Sequence, residues 1–163
     1  MINAAILAGY LAAHAVWSVS DGETLIPIYG YLSGKGERVV ERLAYHRLEQ
    51  GVAARQERLN INLNGYSAAV LVFDGRINLD AGKKDALIVE FRSYGDTPGF
   101  VVVAVPYTPL SDHTDFAVHR PKVLDMSEHL RSDIHNLLDS FFTGVDQHAK
   151  AAKIWSAHLD ESM

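Results

Sequence analysis

Two stretches of this chain, Tyr66–Phe73 and Phe100–Val105, are almost wholly apolar. A strand without a polar face has to be covered on both sides, so both runs are expected at the centre of a sheet with helices against each face. The supply of apolar residues permits this: 48 % of 163 residues are hydrophobic and 21 % charged. That is the balance of a globular chain, and its length suits one domain spanning 1–163.

The remaining segments are read around those strands. Met1–Trp17 is apolar on nearly every face and predicts a buried helix over Ile2–Val16. It lacks a basic leader and an A-x-A-like site before Asp21-Gly22, His14 interrupts it, and it falls short of the roughly 20 residues a bilayer asks for. Thr24–Tyr31 reads as an edge strand or loop, because Pro27 cannot donate to a ladder. After the Ser33–Gly36 turn, Val40, Leu43, Ala44, Leu48 and Val52 recur at helical spacing and predict an amphipathic helix from Glu37 to about Glu57, ending or bending at Gly51.

The period then changes to two. Leu59-Asn-Ile-Asn-Leu-Asn64 alternates, Asn64-Gly65 is a favoured hairpin dipeptide, and Tyr66–Phe73 follows. Asp74-Gly75 offers another turn, Asp80–Lys84 a loop, Ala86–Arg92 a strand, Asp96–Gly99 a turn and Phe100–Tyr107 a strand. Pro106–Pro121 is a long connection, and Asp125 and Glu128 have capping-box spacing ahead of a stripe of Leu130, Ile134, Leu137, Leu138 and Phe141 that stops near Gly144. A last helix covers Val145–Leu159. The fold expected is α+β: an antiparallel β-meander of about four or five strands packed against N-terminal and C-terminal helices.

Composition excludes several chemistries. With no cysteine, thiolate metal sites, disulfides and cysteine nucleophiles are ruled out. A net charge of −5 without a basic block does not favour nucleic acid as a partner. No G-x-S-x-G elbow or dinucleotide fingerprint occurs, and Gly34-Lys35-Gly36 lacks phosphate-loop spacing, so no cofactor is expected. Location in the cytoplasm, without a membrane role, fits this inventory.

Four groups of residues carry possible chemistry. His113, Asp115 and His119 combine imidazole and carboxylate, the ligands left to a cysteine-free metal site, and Arg120 follows as a possible ligand contact with Pro121 and Lys122. His14, Asp21 and Glu23 lie close enough in sequence to form an acid–base unit at the end of the first helix. His129 and Asp133, and likewise His135 and Asp139, are four apart on a helix. Asp74, Asp85, Glu90 and Arg92 follow an order loosely similar to that of the metal-dependent nucleases of the restriction-endonuclease-like superfamily. Arg92 stands where that family has lysine, and no proline precedes the candidate aspartate. The function expected is an accessory or regulatory binding domain, acting through a protein partner or a small ligand and assembling as a homo-oligomer through an edge strand or the first helix; a metal-assisted hydrolase or nuclease-like enzyme is the alternative.

Overall fold

The structure, a computed structural model, describes residues 1–42, 48–62 and 64–163. Its elements are α1 (Ile2–Val19), β1 (Ile28–Leu32), β2 (Arg38–Arg42), α2 (Leu48–Ile61), β3 (Ala68–Leu79), β4 (Gly82–Ser93), β5 (Gly99–Thr108), β6 (Ala117–Val118), β7 (Lys122–Met126), a 3₁₀ turn (Glu128–Asp133), α3 (Ile134–Gln147) and α4 (Ala149–His158). The seven strands form one antiparallel sheet ordered β2-β1-β3-β4-β5, and β6 and β7 both pair with β5. The α+β class with helices from both ends of the chain packed on an antiparallel sheet is therefore correct, with more strands than expected.

The main core lies between the sheet and the layer of α1, α3 and α4. Val70, Val72, Leu87, Val89, Phe91, Val101, Val103 and Val105 face it from β3, β4 and β5, in the alternation a strand imposes. By length and composition α1 would pass for a membrane span, but 61 % of it is buried inside the molecule. Its small residues let α3 approach closely. A Cβ on Gly9 would sit 1.7 Å from the Phe141 carbonyl oxygen, and one on Gly144 would sit 1.9 Å from that of Ile6.

The opposite face of the sheet is covered in part. Leu59 of α2 packs on Tyr29, Ala69 and Leu71, with Val52 and Tyr94 beside it. Among the described residues, the expectation of helices over both faces holds for β3 but not for β5. On that side Ala104 sits in a small cluster with Ala86 and Ile77, with Leu79 and Ile88 packed against it.

Several local readings are corrected. Arg38–Arg42 is a strand hydrogen-bonded to β1 rather than the start of a helix. The turn before it, where Gly36 has φ +80°, folds it back as a hairpin. Leu43 and Ala44 of the expected stripe, and Leu63, lie outside the described residues. The alternation at Leu59–Asn64 is helical through Ile61: Leu59 is buried while Ile61 is 52 % exposed, the opposite of what a strand with both on one face would require. β1 is not an edge, since it begins just after Pro27 and is flanked by β2 and β3. β3 runs straight through Asp74-Gly75, and the turn comes after Leu79. Asp125 belongs to β7 and caps nothing; Ser127 precedes the 3₁₀ turn, and its hydroxyl oxygen accepts from Phe100 N–H at 3.0 Å.

Candidate functional site

Tyr10, His14 and Trp17 recur at four- and three-residue spacing on α1, which puts them on one face of the helix. That face meets β2 and the junction of α3 with α4. Arg38 and Arg42, four apart on β2, both reach it: the Arg38 guanidinium lies 4.2 Å from the Tyr10 ring centroid, and Arg42 contacts His14 Nε2. From the other side His148, the residue between α3 and α4, places its Nε2 3.0 Å from His14 Nδ1. Lys150 in the first turn of α4 stands 5.8 Å from the Trp17 ring.

Donor chemistry fixes the role of one ring nitrogen. A guanidinium only donates, so His14 Nε2 accepts from Arg42, while His14 Nδ1 faces His148 Nε2 and His148 Nδ1 accepts from Ala151 N–H at 3.4 Å. His14 is thus a neutral imidazole. Burial, then the charge of Arg42, then His148 hold its pKa below the ordinary histidine range, in agreement with that assignment.

Beyond His14 the surface opens into a cleft of about 330 Å³. His14, Trp17 and Arg42 line it together with Asp21, Glu23 and Thr24. Asp21 stands at the turn that ends α1, where Gly22 has φ +89° and its N–H donates to the Val19 carbonyl at 3.1 Å. The Glu23 N–H donates to Asp21 Oδ1 at 3.1 Å. Sequence proximity had grouped His14, Asp21 and Glu23, and the fold does bring them to one cleft. They form no acid–base unit, because both ring nitrogens of His14 are occupied by Arg42 and His148. Neither of those partners was legible: they come from β2 and the α3–α4 junction.

The other candidates do not converge. His113 and Asp115 are exposed on the loop between β5 and β6, whereas His119 is 1 % exposed beneath the sheet edge. Among the described residues no group of three or more His, Asp or Glu side chains could hold a metal ion, and His113, Asp115 and His119 are not brought together as one. Burial explains it: His119 turns inward and hydrogen-bonds Thr108 and the Asp160 backbone. Arg120 points outward and pairs with Glu161 at 3.3 Å. The nuclease-like set is split by strand alternation. Asp74 lies opposite Leu87 on the α1 side, and Asp85 shares that face; Glu90 lies opposite Leu71 on the α2 side. Glu90 and Arg92 do form the polar pair their spacing suggests, at 2.8 Å. No bond joins His129 to Asp133; Asp133 instead accepts from Asn136.

The chain matches no protein-family model, and no curated protein and no solved structure matches it.

Proposed function

We propose that this protein is a binding module of accessory or regulatory type that takes a small zwitterion, of the free amino-acid class, in the cleft at the end of α1. The observation that carries this reading is that groups of opposite charge line one cleft. Arg42 and Trp17 line it together with Asp21 and Glu23. A guanidinium suits a carboxylate, a carboxylate pair suits an ammonium, and the indole supplies a flat wall for whatever joins them. The volume of about 330 Å³ is at the lower end of the range for small-molecule sites. Neutral His14 holds Arg42 from behind without competing for the ligand's charge. A metal-assisted reaction has no comparable support, for want of a ligand group among the described residues.

Thermal denaturation with each free amino acid added singly tests this, since a ligand that binds the folded chain raises the midpoint by mass action. At least one amino acid should raise it saturably. Its N-acetyl and amide derivatives, each lacking one charge, should not, and Arg42→Ala and the Asp21→Asn/Glu23→Gln double variant should abolish the shift. An equal shift from the N-acetyl or amide forms, or no shift from any amino acid, would refute the zwitterion reading.

A further inference from the structure

The last residues of the chain are fastened to the sheet edge by an assigned set of hydrogen bonds. Leu159 makes a parallel bridge with Val118, and Asp160 N–H donates to the Val118 carbonyl at 2.8 Å. His119 Nδ1 lies 3.1 Å from the Asp160 carbonyl oxygen, which can only accept, so the ring proton is on Nδ1. Nε2 lies 3.1 Å from the Thr108 hydroxyl oxygen, which accepts from Lys84 Nζ at 2.7 Å. The buried histidine thus holds the tail's backbone in place.

With Asp160 bound on this side, its neighbours Leu159 and Glu161 turn to the other. There they line a groove of about 390 Å³ with Arg120, Leu138, Phe142 and Trp155. Its body is apolar: Trp155 is 3 % exposed, while Phe142 and Leu159 remain 39 % and 40 % exposed. The single charged feature is the Arg120–Glu161 pair at 3.3 Å, whose side chains are 61 % and 62 % exposed. A pair that open to water contributes little to stability and exchanges readily. The groove therefore already displays a carboxylate on its guanidinium, next to apolar surface that nothing among the described residues covers.

We infer that this groove binds a small amphipathic monocarboxylate, an aliphatic chain or single ring with one carboxylate. Its apolar part lies against Phe142, Leu138 and Trp155, and its carboxylate takes the place of Glu161 on Arg120. This site is separate from the cleft at α1 and does not depend on it. It requires no movement of the tail's backbone, which His119 keeps anchored; only the exposed Glu161 side chain swings away.

Isothermal titration calorimetry of the full chain with octanoate, and with uncharged octanamide of the same length, tests the inference. Octanoate should bind at one site, Arg120→Ala should weaken it about tenfold or more, and octanamide should be weaker by a similar factor. Glu161→Gln should bind octanoate more tightly than the parent, because it releases Arg120, and Phe142→Ala should weaken it. Arg120 and Glu161 are exposed, and circular dichroism on each variant confirms that the fold is intact. No saturable heat up to about 10 mM octanoate, or equal affinities for octanoate and octanamide, would overturn the assignment. So would an Arg120→Ala variant that binds octanoate as the parent does.

Discussion

His14 links the stability of this fold to pH. Burial, Arg42 and His148 depress its pKa from the ordinary value of 6.5, so the unfolded chain takes up this proton before the folded one does. The stability linked to His14 is complete above 6.5 and is lost as pH falls from there through the depressed folded value. Urea midpoints should therefore drop between about pH 7.5 and about pH 5.5, and His14→Gln should flatten that part of the profile. An unchanged slope in the variant would show that some other group titrates there. His119 provides the contrast: both its nitrogens are committed in a site closed to water, so its chemistry is spent on holding the tail rather than on a ligand. The sequence displayed both imidazoles equally; only burial separates their roles.

The contact of α1 with α3 decides how the helix layer lies on the sheet. Gly9 and Gly144 each meet a backbone carbonyl of the other helix, which has no rotamer with which to withdraw. Gly30 of β1 is also crowded, but its missing Cβ would meet Leu11 Cδ1 at 2.4 Å, the free end of a side chain. Gly9→Ala is therefore expected to destabilise by about 3 kcal/mol, and Gly30→Ala by less, about 1 kcal/mol. Denaturant unfolding of the two variants checks the order, and Gly30→Ala proving the more costly would contradict this account of the contact. α2 shows why local patterns mislead. Leu59, Ile61 and their asparagines alternate over a few residues, yet Arg55 and Leu59, four apart, are the positions that turn inward, with Arg55 reaching Glu41 of β2 at 3.2 Å. A strand-like pattern shorter than two helical turns was overruled by what the sheet offered for burial.

Across the molecule, one large core joins α1, the sheet, α3 and α4, and a smaller one lies beneath α2. Trp155 belongs to the large core and Trp17 to the surface cleft. If the large core governs stability, far-UV circular dichroism and Trp fluorescence should report one coincident urea transition. A fluorescence change that precedes the loss of secondary structure would mean that the helix layer separates from the sheet first. Much of this architecture was legible beforehand. The apolar runs of β3 and β5, the all-round apolar α1 and the stripe of α3 each have a composition that admits only a buried place, because exposing so much hydrocarbon to water is too unfavourable. The sequence by itself therefore determined the class of the fold and which segments lie at its centre. The tertiary structure alone decided that Arg38–Arg42 is a strand, that His119 is sealed while Arg120 is exposed, and that Arg42 and His148 meet at His14. Those outcomes depend on pairings between residues up to 134 apart in the chain, and local spacing carries no record of which distant partner will satisfy a hydrogen bond or cover a side chain.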